Sequence, residues 1–254
     1  IQCCLVGSEM CIRDRYTETE LSDAEHIIDW ASKQSWSNGN IGMMGISWGG
    51  FNSLQVAFRR PKALKAIITL CSTVDRYTED IHYKGGCLLN ENLGWGATML
   101  SYSSRPPDPL IVGKKWKKMW LERLKNQPHL SDIWLKHQKR DKYWKHGSVC
   151  EDYSKLETPI LAIGGWGDAY KNAVPELVKN AKAKGIIGPW VHKYPHFAVP
   201  KPQIGFLQEA IRWWDKWLKE IDNGCETDPD YRVYVMKGEP PKSSYNFRDG
   251  YWIK

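Results

Sequence analysis

The chain has 254 residues, enough for one α/β core and a smaller appendage. Its 42% hydrophobic and 26% charged residues exclude a disordered or fibrous chain, and no window approaches the roughly 18 continuous apolar residues of a membrane span. The net charge of +7 is concentrated, because residues 111–150 hold eleven Lys or Arg against three acids and the rest is near neutral.

Taken in chain order, the first stretch, Cys4-Leu5-Val6-Gly7-Ser8-Glu9-Met10-Cys11-Ile12-Arg13-Asp14-Arg15, lacks the ordered regions of a secretory signal. It reads as translated adapter sequence, so residues 1–15 are expected to be foreign to the native protein. Ser22-Asp23-Ala24-Glu25 predicts a capping box, with Ser22 as N-cap of a helix that carries Ile27, Ile28 and Ala31. After the Asn38-Gly39 turn, Ile41 to Ile46 reads as a strand. A helix from Phe51 to Arg59 and a buried strand from Ala63 to Cys71 follow. This alternation predicts a parallel α/β sheet, with residues 16–76 as its first part and further strands expected upstream.

Residues 77–156 break the rhythm and predict a helical cap. Their basic residues are interleaved with Trp116, Met119, Trp120, Leu124, Trp134 and Leu135, which reads as amphipathic helix with a solvated face rather than a nucleic-acid surface. The sheet resumes over 157–224 with a strand at Pro159–Gly165, a helix near 172–183 and a strand at Gly185–Pro189. A long helix then carries Phe206, Leu207, Ala210, Ile211, Trp214, Trp217, Leu218 and Ile221 on one stripe and ends at Asp222-Asn223-Gly224. Tyr231 to Met236 reads as a strand that opens a further unit, 225–254, left unfinished. Seven cysteines in no metal-ligand spacing argue for reduced thiols and a cytoplasmic protein. The 14 tryptophans suggest an aromatic core or cleft.

Gly45-Ile46-Ser47-Trp48-Gly49 is a G-x-S-x-G sequence between a predicted strand and a predicted helix. A nucleophilic serine needs such a sharp turn to stand clear of the sheet, with glycines beside it where side chains would collide. A serine hydroxyl also needs a base, and the base an orienting acid. Asp168 closes Gly164-Gly165-Trp166-Gly167-Asp168 beyond one strand, and His192 closes Gly188-Pro189-Trp190-Val191-His192 beyond the next. The alternatives are an incidental serine in a glycine turn, Asp168 as a helix cap, and His196 in place of His192.

These motifs, with Trp30, Gln34-Ser35-Trp36-Ser37-Asn38-Gly39 and Arg212-Trp213-Trp214-Asp215-Lys216-Trp217-Leu218-Lys219, resemble the X-Pro dipeptidyl-peptidase and cocaine-esterase group of serine hydrolases. The resemblance covers about residues 16–254. It implies an α/β-hydrolase sheet, an inserted helical cap after the strand ending near Cys71, and a C-terminal β jelly-roll beginning near Asp228. It matches Ser47, Asp168 and His192 to the family triad. Tyrosine usually follows the nucleophile in this group; Trp48 stands here, and its backbone N–H still supplies one oxyanion donor. The second donor, a tyrosine hydroxyl, lies upstream, and Tyr16 falls too close to the first helix to be that residue.

Asp80-Ile81-His82-Tyr83 opens the cap and makes Asp80 and His82 candidates for substrate contact; Trp48 and Trp166 are candidates for the pocket wall. The sequence therefore predicts an acyl hydrolase acting on small esters or short peptides, including X-Pro dipeptidyl bonds. It predicts no metal or organic cofactor and no nucleic-acid or membrane partner, and is compatible with a homo-oligomer. The rival is a catalytically dead fragment or a binding module of the same fold.

Overall fold

Short aliphatic runs bounded by glycine or proline become the strands of one sheet. The computed structural model describes residues 18–254; residues 1–15, with Cys3, Cys4 and Cys11, and Tyr16 lie outside the described residues. The chain runs α1 (Glu18–Ser32), β1 (Ile41–Ile46), α2 (Trp48–Arg59) and β2 (Leu64–Leu70). It then makes a small hairpin, β3 (Tyr83–Lys84) and β4 (Cys87–Leu88), and the helices α3 (Glu91–Ser103), α4 (Pro109–Val112), α5 (Trp116–Asn126), α6 (Leu130–Lys136) and α7 (Lys142–Lys145). It returns through β5 (Ile160–Gly165), α8 (Ala173–Asn180), β6 (Ala183–Gly188), α9 (Phe206–Lys219), β7 (Tyr231–Met236) and β8 (Gly250–Ile253). The six-stranded sheet has the order β1-β2-β5-β6-β7-β8, parallel throughout except for the antiparallel β8.

Alternation along the strands gives the sheet two buried faces. Leu64 and Ile67 of β2, Ile160 and Ala162 of β5 and Ile187 of β6 pack with α1, α2 and α8. Ala66, Ile68, Leu70, Leu161, Ile163 and Ile186 face the other way, against Trp190 and Phe206, Ala210 and Trp213 of α9. The cap has its own core of Tyr83, Met99, Leu130, Trp134 and Trp144. Arg76, fully buried at its root, donates to the carbonyls of Tyr143 (2.8 Å) and His146 (2.7 Å) and lies over the Tyr143 and Trp144 rings. That cation ties the last turn of the cap to the strand it left.

Four expectations change. Ser22 is not an N-cap: α1 already runs through it, and its hydroxyl donates back to the Thr19 carbonyl at 3.0 Å. The core stripe of α9 is Phe206, Ala210 and Trp213, while Leu207 and Ile211 are 54% and 60% exposed. The same helix stops at Lys219, with Glu220 in the left-handed region as its cap. The strand 231–236, expected to begin a further unit, joins the main sheet. Its Tyr231 to Val233 pair in parallel with Gly185 to Ile187, which extends the parallel part of that sheet. The basic helix α5 buries no residue and lies at the periphery of the cap, tied by the Trp120 indole donating to the Ser104 carbonyl at 2.7 Å. Of the tryptophans, Trp134, Trp144 and Trp190 are fully buried, whereas Trp30 and Trp36 form an exposed edge-to-face pair. Among the described residues, no helix is long and apolar enough to cross a membrane.

Candidate active site

Between the last residue of β1 and the first of α2 stands only Ser47, at φ 58° and ψ −120°. A left-handed φ at a non-glycine residue is strained and persists only where the surroundings hold it. Here the Ser47 N–H donates to the Leu70 carbonyl and the Phe51 N–H to the Ser47 carbonyl, each at 2.9 Å. The expected glycine crowding holds on one side only. A Cβ on Gly45 would come within 2.3 Å of the Gly49 carbonyl carbon, but one on Gly49 would meet nothing within 4 Å. Trp48 opens α2, at the end where the helix dipole favours negative charge. Its indole donates to Glu20 at 2.9 Å, a carboxylate that also accepts from Asn52 at 3.1 Å.

Asp168 follows β5 and His192 follows β6, and the two meet: His192 Nδ1 lies 3.0 Å from Asp168 Oδ2. The aspartate side chain is 2% exposed and the imidazole 42%. Burial alone would raise the Asp168 pKa, but the hydrogen bonds from His192 and the Cys71 thiol outweigh it and hold the carboxyl below its ordinary value. An ionised carboxylate only accepts, so Nδ1 carries the ring proton and Nε2 is left as the basic nitrogen. The loop is fixed by Trp190, whose indole donates to the Pro202 carbonyl at 2.7 Å. Gly165 makes room for it, since a Cβ there would lie 2.1 Å from the Trp190 carbonyl oxygen.

Ser47 and Trp48 line a cleft with Phe51, Ser72, Thr73 and Tyr170 from the core and Asp80, Ile81 and Trp95 from the cap. The Tyr170 ring links this cleft to the Asp168–His192 pair, with its centroid 5.8 Å from the imidazole. Among the described residues no hydrogen bond joins the Ser47 hydroxyl to His192; such bonds commonly tighten only with substrate in place.

The remaining candidates divide. Asp80 is buried in the cleft wall, and its Oδ1 accepts from the Ile81 N–H at 2.6 Å and the Tyr170 hydroxyl at 3.2 Å. His82 does not reach the cleft. It is fully buried against Trp134 and Trp144, bonded to Asn92 at 2.8 Å, and burial lowers its pKa. Trp166 also turns away, its indole donating to the Tyr234 carbonyl at 2.7 Å. His196 stacks on Phe206 at 5.6 Å and serves the aromatic packing beneath the loop.

Sequence reasoning passed over Cys71. It is buried, lies in the left-handed region at φ 47°, and has its Sγ, an Asp168 carboxylate oxygen and a His192 ring nitrogen all within 4.8 Å of one another. Burial, then the Asp168 charge, push its thiol pKa far up. The signal was a cysteine directly after a strand, but its neighbours depend on strand order.

The sequence profile of the X-Pro dipeptidyl-peptidase (S15 family) matches residues 6–194. Cocaine esterase from Rhodococcus sp. (strain MB1 Bresler) is 31% identical, over 85% of this chain and 43% of its own length. Among solved structures, a CocE/NonD family hydrolase from Staphylococcus aureus superposes with a TM-score of 0.74 at 22% identity, covering 95% of this chain and 38% of that one. An aminopeptidase from a marine-sediment archaeon, Thaumarchaeota archaeon, gives 0.60 at 19% identity, over 85% of this chain and 40% of that one. These structural likenesses establish the α/β-hydrolase fold. The chain spans less than half the length of these relatives.

Proposed function

The chain belongs to the X-Pro dipeptidyl-peptidase (S15) family, and from that premise we propose that it carries the acyl-transfer centre of a serine hydrolase. Ser47 Oγ attacks the substrate acyl carbon while His192 Nε2 takes its proton. The tetrahedral oxyanion rests on the Trp48 amide, and the imidazolium is stabilised by Asp168. His192 then protonates the departing alcohol or amine, and water releases the acyl group by the same steps in reverse order. The observation that carries this reading is the Asp168–His192 pair, standing at the same end of the sheet as a serine held in a strained turn. The presence of all three side chains speaks against a binding module of the same fold.

Residues 77–156 act in this reading as the cap that selects substrate, through Asp80, Ile81 and Trp95. Both contacts of the buried Asp80 carboxylate fall on Oδ1. The other oxygen is the natural partner for a substrate ammonium, which favours an acyl group with a free amine, as in an X-Pro dipeptide, over a neutral ester. The four described cysteines are free, in keeping with a reducing cytoplasm. A fluorophosphonate probe offered to the full-length protein tests the centre. It should label Ser47, and labelling that survives Ser47→Ala would refute the assignment. X-Pro anilides with free and acetylated N-termini test the substrate class, since Asp80→Asn should erase the preference for the free amine.

A further inference from the structure

Cys71 takes no part in the steps above, yet strand order sets it between the parts that do. β2 lies between β1 and β5, with Leu70 opposite Ile46 on one side and Ile163 on the other. The residue after Leu70 therefore stands between the nucleophile's strand and the acid's strand. Its N–H donates to the Ile163 carbonyl at 2.9 Å, and its left-handed backbone is a strain shared, among the described non-glycine residues, only with Ser47, Arg60 and Glu220. That anchored turn brings the Cys71 sulfur up to the Asp168–His192 pair.

We propose that Cys71, Asp168 and His192 form a binding site for a thiophilic divalent cation such as zinc, and that filling it switches the catalytic triad off. Thiolate, imidazole and carboxylate are the sulfur, nitrogen and oxygen donors that a tetrahedral zinc ion accepts. Bonds of about 2.0–2.3 Å place such donors roughly 3–4 Å apart. The three atoms here lie within 4.8 Å of one another, so closure asks for movements of about an ångström. His192 is the exposed member and supplies the way in.

The switch follows from the proton balance. The ion bonds to Cys71 Sγ and His192 Nδ1 and displaces the proton from each, while the Asp168 oxygen turns from hydrogen-bond acceptor to ligand. The thiol proton leaves to solvent. The ring loses the Nδ1 proton and takes one on Nε2, so one proton is released per ion and nothing is oxidised or reduced. An imidazole protonated on Nε2 has no lone pair for the Ser47 proton. Inhibition thus comes from the wrong tautomer rather than from a blocked cleft.

This inference rests on the triad proposed above for its effect on turnover, but not for the binding itself, and the two are read separately. In the full-length protein, zinc should inhibit ester turnover reversibly, with recovery on adding a chelator. Cys71→Ser, compared with its own uninhibited rate, should need about ten-fold to a hundred-fold more zinc. Cobalt in place of zinc should give a near-ultraviolet thiolate-to-cobalt charge-transfer band that Cys71→Ser removes. Substitution of the exposed thiol, Cys87→Ser, should keep it. A band undiminished in Cys71→Ser would overturn the site, as would zinc inhibition unchanged by that substitution. A Cys71-dependent band in a protein whose turnover ignores zinc would uphold the site and overturn the assignment of His192 as base.

Discussion

Replacing Gly45 with alanine tests how the serine turn is held. The new methyl carbon would lie 2.3 Å from the Gly49 carbonyl carbon and 2.6 Å from its Cα. Carbon atoms settle at about 3.5–4.0 Å, so the first turn of α2 must move by more than an ångström, and both atoms struck are backbone that cannot swing aside. Overpacking of this kind costs about 1–3 kcal/mol, and the upper end applies here because no side chain can absorb it. The same displacement carries Ser47, and a misplacement of about 1 Å costs on the order of a hundred-fold in rate. Gly49→Ala is the matched control: nothing lies within 4 Å of its Cβ and its φ is helical, so it should gain about 0.5–1 kcal/mol. Urea unfolding of both variants, with ester turnover for Gly45→Ala, separates the two glycines. Equal unfolding midpoints, or undiminished turnover in Gly45→Ala, would show that the turn is not held by backbone contact.

In the full-length protein, His192→Ala should remove turnover by roughly 10⁴-fold or more, whereas His196→Ala should cost at most about ten-fold; the reverse ranking would place the base one helical turn further along. Because the folded Asp168 carboxyl is held below its ordinary value, its stabilising effect is complete above that value and is lost as pH falls through the lower one. The stability gap between the parent and Asp168→Asn, read by urea unfolding at about pH 7 and about pH 3, should therefore shrink on acidification; a gap that widens would contradict the sign of the shift. Arg76→Ala strips two buried carbonyls of their donor and should loosen the cap by about 3 kcal/mol, seen as faster hydrogen exchange over residues 130–148 with the sheet amides unaffected.

The candidate triad was legible because each member sits where a strand must give way to a loop, and the glycines that permit such turns are local. Ser47, Asp168 and His192 needed only the order of strands along the chain. What depended on contacts between distant residues was not legible. β7 alternates as any half-buried strand does, and nothing in Tyr231–Met236 says that its neighbour is β6 rather than a new sheet. His82 and Asp80 share a segment two residues apart, but Trp134 and Trp144, some fifty to sixty residues later, enclose the first and leave the second in the cleft. On α9, eight apolar positions span more than one face, so periodicity alone did not say that Leu207 and Ile211 point outward. Ser22 followed by Glu25 met the capping pattern inside a helix that had already begun.

The cap leaves the sheet after β2 and rejoins it at β5, and those two strands are immediate neighbours. Every residue between them is thus a detour in a single crossover. None of Ser47, Asp168 and His192 belongs to it. In the reading proposed above, lengthening, shortening or exchanging that loop would alter which molecules fit beneath Trp95 and Asp80 while Ser47, Asp168 and His192 keep their registers. A lineage built on this plan can change its diet without relearning its chemistry, and neighbouring members would diverge fastest between Leu70 and Ile160.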